Sequence, residues 1–181
     1  MDLWGLDINL ASDATEAQKK EYQEAVDYLN ESDSGSSLIK ELERSGEVIV
    51  VQFRDNDDDR YYRDTNTVTW DPGSGLVTGS GGIQTAALGL AHEFGHALQD
   101  IKGELTGKNS AQIEAENLEQ VESPIAQQLG EPQRESYSDA IGVVRTEGSV
   151  SIKIVVPGQK SIPSDGNIYR YGIEEIYDKG N

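Results

Sequence analysis

Leu90-Ala91-His92-Glu93-Phe94-Gly95-His96-Ala97-Leu98 holds both histidines of the chain and reads H-E-x-x-H. On an α-helix, residues i and i+4 share a face, so the two imidazoles can grip one zinc ion from the same side. Glu93 follows the first of them, where its carboxylate can reach a zinc-held water and act as general base. The neighbours decide the surroundings. Ala86, Ala87, Leu88, Leu90, Ala91, Phe94, Ala97, Leu98 and Ile101 make this helix apolar around much of its circumference, as in a helix buried on several sides. Placing His92, Glu93 and His96 there is costly unless a metal or hydrogen-bonding partners satisfy them. The helix is expected to begin at Gln84 or Thr85, run to about Ile101 and close at Gly103. The pattern predicts the site of a zinc metallopeptidase.

Two histidines do not complete a catalytic zinc site, which takes three protein ligands and keeps one position open. The chain has no cysteine and no third histidine, so the missing ligand is a carboxylate. Asp100, on the same helix, could reach the ion only across a kink. A glutamate from a following antiparallel helix is the usual geometry. That helix is expected from Ser110 to Glu122, stopped by Ser123-Pro124. Glu116 is the favoured third ligand and Glu122 its rival, while Glu114 and Glu119 are expected to be solvated. An oxyanion needs a further donor. Tyr137 is the candidate, on a third helix expected from Gln133 to Gly142.

Composition limits the alternatives. The chain has 181 residues, 35% of them hydrophobic and 7% aromatic, with 19 glycines, which suits one domain with a modest core and many turns. A formal net charge of −18 argues against nucleic acid and anionic membranes as partners. No stretch has the length of a transmembrane helix, and the first residues show neither the basic nor the apolar region of a signal peptide. Export would then need another route or a larger parent chain.

Outside the motif, Asp13-Ala14-Thr15-Glu16 predicts a capping box opening a helix to about Asn30. Ser32 to Ser37 reads as a polar break before a short helix carrying Leu38, Ile39 and Leu42. Glu47 to Arg54 is β-branched and predicts a buried strand. Asp55 to Asp59 lacks the glycine and glutamate of a calcium loop and reads as a hairpin tip. Tyr61 to Arg63 and Thr67 to Asp71 read as strands, Gly73 to Gly82 as a flexible loop, and Ser149 to Val156 as a late strand. A polar C-terminus carries Tyr169, Tyr171 and Tyr177. The architecture expected is a single α+β domain over residues 1–181, with a small twisted sheet packed on the motif helix. An edge strand within Thr67 to Thr78 is expected to pair with extended substrate.

The motif stretch, followed by Glu116-Asn117, Glu122 and Leu129-Gly130-Glu131-Pro132-Gln133-Arg134-Glu135-Ser136-Tyr137, resembles a bacterial effector and toxin zinc metallopeptidase family of the zincin clan. Its members include type III-secreted effectors and the C-terminal domains of RHS-repeat toxins. The family pattern has H-E-x-x-H, a later acidic segment, then E-N and L-G-x-P-x-R-x-x-Y. Here the E-N pair stands at Glu116-Asn117, and Glu122 is followed by Ser123. The resemblance spans roughly residues 70 to 140. It implies a zincin-like fold, endopeptidase activity on protein or peptide substrates, Zn2+ as cofactor, and roles for Tyr137 and Arg134. It also implies secretion by a specialised system, delivery within a larger chain or pairing with an inhibitor protein. Gly5-Leu6-Asp7 is similar to the end of an RHS core. A metal-retaining binding module and a zinc hydrolase of non-peptide amides are the competing readings.

Overall fold

Thr15 opens the first long helix: its hydroxyl accepts the amide of Gln18, and the Gln18 side chain accepts the amide of Thr15. The computed structural model describes residues 8–55 and 58–155. In order they form β1 (Ile8–Leu10), α1 (Glu16–Leu29), α2 (Asp33–Glu43), β2 (Ile49–Phe53), β3 (Arg60–Tyr62), β4 (Thr67–Trp70), β5 (Ser74–Thr78), β6 (Ile83–Gln84), α3 (Ala86–Ile101), α4 (Ser110–Asn117), a π-helical turn (Leu118–Glu122), α5 (Ser123–Leu129) and β7 (Ala140–Arg145). Gly5-Leu6-Asp7 and the three C-terminal tyrosines lie outside the described residues.

The expected polar break is the first turn of α2. The Ser32 hydroxyl accepts the amide of Gly35 and so caps the helix. Gly35 runs so close to the end of α1 that a Cβ there would lie 2.3 Å from the Leu29 carbonyl oxygen.

Strands β1, β2, β4 and β3 lie side by side in that order, the first three parallel and β3 antiparallel at the edge. β4 therefore lies between β2 and β3, so those two strands do not pair as a hairpin; part of the expected tip, residues 56–57, lies outside the described residues. A second sheet has the order β6-β5-β7 and is antiparallel throughout. Its central strand occupies the stretch expected to be a flexible loop. Both halves of the expected substrate-pairing edge are interior, since β4 lies between β2 and β3 and β5 between β6 and β7.

The third expected helix is also absent. Gly130, at φ +73°, terminates α5, Pro132 follows, and Tyr137–Asp139 form one 3-10 turn before β7. The β-branched run Ile141 to Val144 wins locally. Val144 packs on Val77 and Ile83, while Val143 pairs with Leu76 on the opposite face. From Ser149 to Val155, only Ile154 forms a bridge, to Thr146. Ser149 is buried, donating from its amide and hydroxyl to Glu21 and accepting from the Ala87 amide.

Helix α3 is the centre of the molecule. Leu90, Ala91, Phe94 and Ala97 are fully buried against α1, α2, α5 and the larger sheet. Trp70 at the end of β4 donates its indole N–H to the Ala86 carbonyl at 2.8 Å, fixing the start of α3 to the sheet. Thr85 caps that start. The Glu131 carboxylate accepts from both the Thr85 amide (2.8 Å) and its hydroxyl (2.7 Å), placing an acidic group where the helix dipole favours one. The whole is a mixed α/β architecture with small sheets, compatible with the α+β expectation.

Candidate functional site

One face of α3 presents His92, Glu93 and His96, and α4 returns beside it. The Glu114 Oε2 atom lies 3.2 Å from His92 Nε2 and 3.3 Å from His96 Nε2. The two Nε2 atoms are 3.1 Å apart. His92, His96 and Glu114 thus form a triangle of ligand atoms able to hold a metal ion.

The outer nitrogens of both rings are committed elsewhere. His92 Nδ1 lies 2.9 Å from Glu122 Oε2, and His96 Nδ1 lies 3.2 Å from Gln99 Oε1. Both partners accept, so in the neutral rings each Nδ1 carries the proton and each Nε2 turns a lone pair inward. Glu114 Oε2 is buried with no hydrogen-bond partner among the described residues. Three converging acceptors repel unless a cation lies between them. A proton on His92 can serve one neighbour at a time, whereas a divalent ion serves all three. The edges of the triangle also match those expected for ligands about 2.0–2.2 Å from a tetrahedral zinc, roughly 3.3 Å. The residues fit the ion.

The electrostatics agree. Burial opposes charge on Glu114, but the facing imidazoles of His92 and His96, when protonated, hold its pKa down at about 2. Burial likewise disfavours the charged form of His92, yet Glu114, Glu122 and Glu93 outweigh it and push its pKa to about 9. The site attracts positive charge. Glu93 is the exception: burial raises its pKa, against the nearby imidazoles and a hydrogen bond from the Tyr61 backbone. A carboxylate tuned upward is a better proton acceptor at neutral pH.

Sequence reasoning placed His92, Glu93 and His96 together, as the structure does. The third position needs correction. Glu116 points away from the imidazoles and is ion-paired with Lys108. Glu114, expected to be solvated, stands in its place. The inward side of α4 carries Ile113, Glu114 and Asn117, continued by Leu118 of the π-helical turn, and Glu116 falls outside it. Ile113, a lone large apolar residue in a polar helix, was the available signal.

Glu122, the rival, is 1% exposed and supports His92 from behind. Its Oε1 also accepts from Gln84 Nε2 (2.9 Å) and Arg134 Nε (2.8 Å), and Arg134 Nη2 bonds its Oε2. Burial would raise its pKa, but His92 and Arg134 hold it at about 2. Asn117 is fully buried and donates to the His92 carbonyl at 2.9 Å. A Cβ on Gly95 would sit 1.9 Å from Asn117 Oδ1, so the glycine inside the motif makes room for that contact. Gln84 and Gln99 were missed, because no local pattern marks an amide that will meet a distant group; Asn117 stood out only as half of the E-N pair, with no role assigned to it.

Tyr137 stands in the 3-10 turn rather than on a helix. Its ring stacks on His92 at 6.2 Å between centroids, and the Arg134 guanidinium lies 5.4 Å from its centre. It is 54% exposed and lines, with His92, Glu93 and Arg134, a cleft of about 470 Å³. Burial and the charges of Glu114 and Glu93 raise its pKa, keeping the phenol protonated.

No curated protein and no solved structure matches the chain. The model of the Peptidase M91 family, described as effector protein, matches residues 7–138. That span covers most of the chain and contains every residue of the triangle, Glu93, Glu122, Arg134 and Tyr137; the chain belongs to this effector peptidase family.

Proposed function

We propose that the chain is a zinc-dependent endopeptidase, a single zincin-like domain over residues 1–181 that acts on protein substrates as a delivered bacterial effector or toxin. The carrying observation is the convergence of His92 Nε2, His96 Nε2 and Glu114 Oε2, with buried Glu93 beside them. Membership of an effector peptidase family supports the peptide bond as target. No helix among the described residues is long and apolar enough to cross a membrane.

When bound, zinc would supply Lewis-acid polarisation of the scissile carbonyl and a more acidic water. The chain provides the rest. Glu93 accepts a proton from the attacking water at a carboxylate oxygen and passes it to the leaving amine nitrogen. Tyr137, protonated and at the cleft, donates from its hydroxyl to the developing oxyanion. Glu122 holds His92 in the tautomer that leaves Nε2 free, and Arg134 fixes Glu122 in turn.

Metal content and peptide cleavage of the native chain and of Glu93→Gln test this reading. Zinc near one per chain in both is expected, with turnover lowered by about 10²–10⁴-fold in the variant. A binding module would be indifferent to Glu93→Gln, and a hydrolase of other amides would cleave small amides while leaving peptides intact. Failure of the native chain to hold zinc would end the proposal.

A further inference from the structure

The cleft continues from His92 and Glu93 along the N-terminal half of α3, under the second sheet. Its floor is Leu88 and Gly89, and its wall is the cross-strand pair Leu76 and Val143. Val77, Ile83 and Val144 pack on the other face of that sheet, so Leu76 and Val143 are turned to the cleft rather than used by the small core. Val143 is 39% exposed and its neighbour Ile141 is 42% exposed. At about 470 Å³ the space lies within the range of pockets that bind ligands, ~300–1,000 Å³.

Gly89 is the informative residue. It precedes His92 by one turn and shares its face. A glycine inside a helix is destabilising relative to alanine, so an open position there needs a reason. Among the described residues, and apart from the helix's own backbone, the close neighbour of a Cβ at Gly89 would be Asp59 Oδ2, at 3.1 Å. A side chain at 89 would project into the floor beside the reacting groups.

We propose that this cleft is the specificity subsite, taking a large apolar side chain from a substrate residue that flanks the scissile bond. The inference rests on the endopeptidase reading and deepens it. Continuity with Glu93 names the occupant: a peptide lying in the cleft with its scissile bond beside Glu93 would lay a flanking side chain over Gly89 and against Leu76 and Val143.

The test profiles the zinc-loaded chain on unstructured peptides randomised at both positions flanking the cut. One of the two positions should favour Phe, Leu or Met over Gly and Asp by about tenfold or more in kcat/KM. Gly89→Leu, filling the floor, and Val143→Phe, filling the wall from an exposed strand, should each reverse that order in favour of alanine peptides. A flat profile in the native chain, or variants that both keep the native profile, would overturn the subsite alone. Cleavage of no peptide would overturn the endopeptidase reading and the subsite with it.

Discussion

Glu114 and Glu116 are two residues apart on one short helix, yet one faces two imidazoles and the other a lysine. On the proposed zinc reading, that contrast makes Glu114 the ligand and Glu116 a bystander. Glu114→Ala should weaken zinc binding by at least a hundredfold in a competition titration, while Glu116→Ala should leave it within about twofold, since a lost metal ligand is not replaced by a surface ion pair. Gly95 offers a second residue-scale check. Gly95→Ala puts a methyl group where Asn117 Oδ1 now lies, at a buried position that Val121 also approaches. Overpacking of this kind costs about 1–3 kcal/mol, read as a lower midpoint in urea, and it should also weaken zinc by pushing α4 outward. A Gly95→Ala variant as stable as the native chain would show that Asn117 is not held by that approach.

At the scale of elements, the segment from α4 to α5 does most of the positioning. The π-helical turn Leu118–Glu122 inserts extra chain between Glu114, on the inner side of the imidazoles, and Glu122, behind His92. One α-helical residue is a rotation of about 100°. Deleting Gln120, which is exposed, should restore a plain helix and swing Glu122 off His92. Zinc affinity should then fall about 10–100-fold, the usual effect of losing the group that orients a ligand histidine, with helical circular dichroism retained. Glu122 stood out in the sequence only as a rival metal ligand, and the π-helical turn that sets it behind His92 was not legible at all. H-E-x-x-H announces its own face because four residues bring a helix round to the same side, and α3 was readable from that and its apolar ring. Glu114 and Glu122 are chosen by how a second helix docks and where it widens, which no local spacing encodes. The same limit explains β5 and β7. Ser74-Gly75-Leu76-Val77-Thr78 looks like a loop until Val143 and Val144 lie beside it.

For the molecule as a whole, the family match ends at residue 138, but the fold does not. β7 completes the second sheet and one wall of the cleft, and Ser149 ties the chain back to α1 and to the first turn of α3. A chain cut after Ser138 should therefore lose cooperative unfolding in thermal denaturation. Ser149→Ala should lower stability by about 1 kcal/mol, the net contribution of one buried hydrogen bond. A truncated chain with the native melting profile would show that the later residues are dispensable.

His92, His96 and Glu114, with Glu122 behind His92, all fall between residues 92 and 122, on consecutive helical elements. Closing so short a stretch carries a small entropic cost compared with joining distant parts of the chain. The candidate metal-binding triangle can thus assemble from one contiguous hairpin of helices, before the second sheet forms and without any disulfide, since the chain has no cysteine. For a protein threaded through a narrow conduit as an extended polymer, this order of assembly matters. Metal capture would come early on the far side, stapling α3 to α4, and the cleft would close over it last.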